Sequence, residues 1–206
     1  MRRILLIAIG LVLMAGTAQA QTIVGTAHDL SGDGLGTTEL CVFCHTPHES
    51  TAADDAPLWN RSNSTATAYT RYDNTVSSTY QATNLAWDPS TSTDLSSLCM
   101  SCHDGTVAPG TGVINEPNGT TVAGGTLSAN ALLSTDLSSE HPVRMTFDAA
   151  LVTADGELQL PAGPEVNLYG GSVECASCHD VHDNSNGTFL VMGNAQSALC
   201  LECHTK

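Results

Sequence analysis

Eight cysteines constrain this chain more than anything else in it, because they fall into four C-x-x-C pairs and each pair is followed directly by histidine. The four are Cys41-Val42-Phe43-Cys44-His45, Cys99-Met100-Ser101-Cys102-His103, Cys175-Ala176-Ser177-Cys178-His179 and Cys200-Leu201-Glu202-Cys203-His204. C-x-x-C-H is the attachment sequence of c-type haem. On a helical turn, side chains at i and i+3 share one face, so both sulfurs reach the vinyl groups of a single porphyrin. The next histidine then comes under the ring and ligates the iron. Other readings of the cysteines fare worse. A disulfide framework spreads its cysteines along the chain, zinc sites built from four cysteines need no trailing histidine, and a thioredoxin-like redox motif needs one pair rather than four. With 8 histidines in 206 residues, chance places one after each of four pairs in roughly two chains per million. The expectation is four covalently bound haem c groups.

His45, His103, His179 and His204 are proximal ligands by position. His28, His48, His141 and His182 remain, which matches the number of distal positions on four irons. Their placement repeats. A lone histidine, then C-x-x-C-H-x-x-H, then L-C-x-x-C-H occurs as His28, Cys41 to His48 and Leu98 to His103, and again as His141, Cys175 to His182 and Leu199 to His204. The chain therefore reads as a doubled dihaem module, about 21–130 and 131–206, within a single tetrahaem domain spanning 21–206. Met100 lies inside an attachment loop and cannot turn back to its own iron, so Met145, Met192 and Lys206 are the only rivals to histidine. Methionine ligation raises the reduction potential; bis-histidine ligation in acidic surroundings predicts low potentials.

His48 and His182 follow a proximal ligand by three residues. Each lies on the wrong side to reach the far face of its own haem and should serve a neighbouring one. In the preferred scheme His182 reaches back to the haem of Cys99 and Cys102, while His48 ligates the last haem of another subunit. The competing scheme closes pairs within modules, with His48 serving the second haem and His182 the fourth.

The rest of the chain is poor in core-forming residues, with two Trp, four Tyr and three Phe. A domain of this length normally buries most of its surface around apolar side chains, so the porphyrins are expected to fill the middle. The fold class that follows is mostly irregular coil, with short helices at the haem sites, a further helical stretch expected over 195–203, and brief strands near 143–147 and 157–160. Trp59, Trp87, Tyr69 and Tyr72 are candidates either to cover haem faces or to pack together.

Arg2-Arg3, the apolar run from Ile4 to Ala15 and the Ala18-Gln19-Ala20 site read as a secretory leader over 1–20. The run is shorter than the roughly 20 residues that span a bilayer, so the mature chain is expected to begin at Gln21, carry no membrane span and be secreted. Beyond the leader, only Arg61, Arg71, Arg144 and Lys206 offset 21 acidic residues. A surface so acidic excludes nucleic acid as a partner.

Cys41-Val-Phe-Cys-His-Thr-Pro-His48, Ser97-Leu-Cys-Met-Ser-Cys-His-Asp-Gly-Thr-Val107, His141-Pro142 and Val173-Glu-Cys-Ala-Ser-Cys-His-Asp-Val-His182 resemble the tetrahaem extracellular cytochromes that polymerise into conductive filaments, the cytochrome nanowires. The resemblance is strongest through the haem sites and weak in the long loops. It implies a mostly coil fold wrapped around a continuous haem chain of alternating parallel and T-shaped pairs. It also implies a homopolymer in which the adjacent subunit supplies one distal histidine, with His48 the first candidate and His28 the second. Redox proteins or extracellular acceptors would be the partners.

Three functions are open to such a chain: a subunit of an extracellular filament, a monomeric periplasmic electron shuttle, or a multihaem reductase. The first is preferred. The histidine count leaves no open iron for a reductase, and no residue is placed for acid–base or nucleophilic catalysis.

Overall fold

Asp94 starts the longest helix. Its carboxylate accepts the Ser97 backbone N–H at 3.0 Å and the Ser97 hydroxyl at 2.8 Å, which satisfies donors that a helix N-terminus otherwise leaves bare. The helix, α1, runs Leu95–His103 and contains the whole second motif. The computed structural model describes residues 23–51, 56–117 and 120–206; the expected leader lies outside them. At the other motifs the turn is tighter. Short 3-10 turns cover Cys175–Ser177 and Cys200–Glu202, and the first motif is held by His45 N–H donating to the Cys41 carbonyl at 2.8 Å. The stretch over 195–203 is thus two 3-10 turns, Ala195–Ser197 and Cys200–Glu202, rather than one helix, with Gln196 and Ser197 at positive φ inside the first.

A second helix, α2, spans Ala149–Asp155. Asp148 caps it by accepting the Leu151 N–H at 2.9 Å, and Gly156 closes it at φ 76°, a conformation that costs glycine little. Its seven residues bury only Leu151, too few to leave a helical period in the sequence.

Four two-residue strands pair as β1 (Thr70–Arg71) parallel to β2 (Asp136–Leu137), and β3 (Met145–Thr146) antiparallel to β4 (Ser172–Val173). The expected strand near 143–147 is realised as β3, whereas 157–160 contributes only a single bridge, Leu158 to His204. The protein is mostly coil with few short helices and strands, as the sparse apolar patterning predicts.

Apolar packing is divided. Leu35, Phe43, Val113 and Val122 form one buried cluster against Val42 and Cys44, beneath the first motif. Met145, Phe147, Leu151 and Val173 form another, with Leu158 and Cys203 against it, beneath the fourth. Polar side chains do the remaining joining. Asn60, fully buried, donates to the carbonyls of Val42 at 2.8 Å and Asn115 at 3.1 Å and accepts the Asn115 N–H at 2.8 Å. Glu174, 3% exposed, accepts from the Ser96 hydroxyl and pairs with Arg144 at 3.2 Å, while Arg144 also lies 3.4 Å from Asp94. That triad ties the start of α1 to the third motif.

Replacing Asn60 by Ala leaves two carbonyls and one N–H unpaired in the interior. Each such loss costs about 1–3 kcal/mol, so Asn60→Ala should destabilise the haem-loaded protein by about 3 kcal/mol or more in a denaturant titration, with first-motif attachment unchanged.

Candidate haem centres

Each motif folds against a strap, a short segment of irregular backbone drawn from elsewhere in the chain. At the first, Asn60 N–H donates to the Cys44 carbonyl and Thr46 N–H to the Leu58 carbonyl. At the second, Leu133 N–H donates to the His103 carbonyl. At the third, Asp180 N–H donates to the Phe189 carbonyl and Val191 N–H to the Cys178 carbonyl; at the fourth, Gln159 N–H donates to Cys203 and Thr205 N–H to Glu157.

Three straps also hold the ring of the motif's histidine. His45 Nδ1 lies 2.8 Å from the Pro57 carbonyl, His103 Nδ1 2.7 Å from that of Ala131, and His179 Nδ1 3.0 Å from that of Thr188. A carbonyl only accepts, so each Nδ1 carries the proton and each Nε2 presents its lone pair. A metal-binding imidazole needs that tautomer, and the hydrogen bond also fixes its plane. The same bond joins His141 Nδ1 to the Pro142 carbonyl at 3.0 Å. Leu58, beside Pro57, has φ 59°, and Thr188 and Phe189 have φ 48° and 58°. Such angles are unfavourable for side chains of this size, and here they turn the strap so that its carbonyl faces the ring.

The histidines meet in pairs. Ring centroids lie 6.1 Å apart for His45 and His182, 6.1 Å for His28 and His103, and 6.3 Å for His141 and His204. Two imidazoles bound to one metal through nitrogens about 2.0 Å away, with centroids about 1.1 Å further out, stand about 6.2 Å apart. The donor sets therefore fit a bis-histidine haem iron at three motifs. Among the described residues, the ring contacts include no imidazole against His48 or against His179, and both side chains are exposed. His182 stands against His45, a partner that neither pairing scheme drawn from spacing gave it. His204 is faced by His141, so among the described residues the motif histidine with no second imidazole against its ring is that of the third motif and not the last. His28 faces His103 of its own chain.

Burial and the neighbouring His103 hold His28 down to about 4, and burial lowers His141; both are neutral at pH 7, as ligation requires. Burial pushes the Cys44 and Cys203 thiols up to about 11. Cys99, hydrogen-bonded to Cys175 and buried, is pushed well up. Such thiols are poor nucleophiles. All eight cysteines are free rather than disulfide-bonded, and no group of three or more His, Cys, Asp or Glu among the described residues is gathered to hold a bare metal ion. The disulfide and zinc readings lose their support.

Several side chains suit a large apolar ring with acidic edges. Leu58, Leu132, Leu160, Val181 and Leu201, between 38% and 50% exposed, all lie in straps or motifs or next to them. Exposed apolar groups so placed suit a porphyrin face. Trp59 sits edge-on to His45 at 6.1 Å with a buried, unpaired Nε1 that could donate to a propionate. Trp87 packs against Tyr69 instead, at 4.7 Å, and Tyr72 against Tyr80.

The strap carbonyls escaped sequence reasoning. Any residue supplies a carbonyl, so Pro57, Ala131 and Thr188 bear no chemical mark. Residues 170–206, the third and fourth motifs, match the doubled CXXCH motif family. No curated protein matches the chain. Cys175→Ala combined with Cys178→Ala should lower the intact denatured mass by one haem; an unchanged mass would exclude attachment there. That paired motif indicates covalently bound haem c and a multihaem c-type cytochrome.

Proposed function

We propose that the chain is a tetrahaem electron carrier whose copies assemble into an extracellular filament, with His48 of one subunit closing the haem of His179 on the next. One observation carries this reading. After three imidazole pairs form within the chain, one exposed histidine and one motif are left over, and they answer each other. Donation between copies would use both and would join each subunit to its neighbour in one direction, which builds a polymer rather than a closed dimer. The doubled order of the motifs supports a count of four haems, and the leader-like start supports export.

Bound haem supplies one-electron iron chemistry between ferric and ferrous states. The chain's part is to orient imidazoles through the strap carbonyls, to attach both sulfurs on one face of each turn, and to cover the ring faces. Burial raises the Cys44 and Cys203 thiols, and the Cys175 hydrogen bond with burial raises that of Cys99, which makes all three weak nucleophiles and supports a carrier over an enzyme. The same leftover site supports one other reading. If His48 is not donated, the third haem keeps an open axial position and can bind a small ligand, as a reductase requires.

Electron microscopy and visible spectroscopy of the haem-loaded protein separate these readings. Filaments with wholly low-spin haem are expected for the parent, and His48→Ala should give particles of single subunits with one haem in four high-spin. His141→Ala, which removes an in-chain partner, should convert the fourth haem to high-spin yet still polymerise. Filaments from His48→Ala would rule out His48 as the link. Monomeric parent protein with one high-spin, cyanide-binding haem would favour the reductase, and monomers with every haem low-spin the shuttle.

A further inference from the structure

Arg61 is the largest fully buried side chain, 1% exposed. Its Nε donates to the Ser101 hydroxyl at 3.2 Å, one Nη to the Ser101 carbonyl at 3.2 Å and the other to the Pro109 carbonyl. All three acceptors are neutral. Among the described residues no carboxylate pairs with it, although a buried charge normally acquires a counter-charge. Built on Gly112, a Cβ would stand 2.4 Å from the guanidinium, so only glycine admits the arginine in this place.

Its position is equally specific. Ser101 lies inside the second motif, and the neighbouring Asn60 N–H bonds the Cys44 carbonyl of the first. The other fixed cations differ. Arg144 is neutralised by Asp94 and Glu174, Lys206 pairs with Glu157 at the surface, and Arg71 is half-buried with Asp73 and Glu174 in its field.

We infer that Arg61 is an electrostatic positioning residue whose unpaired charge raises the reduction potentials of the haems on the first and second motifs. A haem that accepts one electron gains one unit of negative charge, and a guanidinium charge nearby stabilises that form in a low-dielectric interior. Electrons entering the chain therefore settle at these two haems. The inference rests on haem occupying both motifs, and the intact mass of each sample reads that occupancy separately.

Redox titration of the haem-loaded protein by visible spectroscopy tests it, with Arg61→Gln and Arg61→Lys compared to the parent. In Arg61→Gln, two of the four components should show about a tenfold lower ferrous-to-ferric ratio at fixed poise, a downward shift of about 59 mV for a one-electron couple. Arg61→Lys should restore most of it. Unchanged potentials in a fully loaded Arg61→Gln protein overturn the inference, and so does an equal shift in both variants, which would mark lost packing rather than lost charge. Should Arg61→Gln fail to load haem, Arg61→His replaces it. The same two components should then fall between about pH 5 and pH 8 as the imidazole loses its charge, and a pH dependence identical to the parent's overturns the inference.

Discussion

The hydrogen bond from a histidine Nδ1 to a strap carbonyl is the contact on which the rest of the structure depends. It selects the tautomer, fixes the ring plane and aims Nε2, and it does so at three of the four motifs. Since the acceptor is backbone, its strength survives most substitutions in the strap, but its direction does not. The left-handed residues beside Pro57 and at Thr188 show that local conformational energy is spent on that direction. Packing then follows the straps. One apolar cluster sits beneath the first motif and the other beneath the fourth, and the space between belongs to imidazoles and thiols.

Buried polar groups take over the joining that a larger core would do. Asn60 bridges two backbone segments around the first motif, and the Asp94–Arg144–Glu174 triad locks α1 to the third. Charges inside a protein are costly unless paired and hydrogen-bonded; the triad pairs its charges and hydrogen-bonds Arg144 to Glu174 and the Ala86 carbonyl, leaving only the Arg144 Nε without a hydrogen bond. Arg61 is hydrogen-bonded but unpaired among the described residues, which is why its field reaches two motifs instead of being cancelled locally.

The haem chemistry was legible in the sequence because thioether attachment demands a residue type at a fixed spacing. The irregular fold was legible too, since few segments carry an apolar period. The histidine partners were not. Spacing shows that His182 cannot serve its own haem, but which neighbour it meets depends on the path of long loops, and the chain brings it to His45. Helix α2 was missed because one buried leucine sets no period. In the sequence Arg61 is one of four fixed cations beyond the leader with nothing to set it apart, and only the glycine at 112 and the acceptors around it reveal a built interior position.

The straps also differ in how far along the chain they lie from the rings they hold. His179 finds its carbonyl 9 residues away and His45 finds one 12 away, whereas His103 must close across 28. At the fourth motif the strap comes first, and Gln159 meets Leu201 across 42 residues. Closing the longest of these loops instead of the shortest costs about 1.4 kcal/mol more in chain entropy. A chain emerging from its N-terminus can therefore engage the first strap long before His182, the imidazole that faces His45, has been made. The fourth waits for residues 200–204, although its strap has long been in place. Assembly is thus ordered by loop length, and a chain truncated near its end would keep three straps engaged and leave the fourth with nothing to hold.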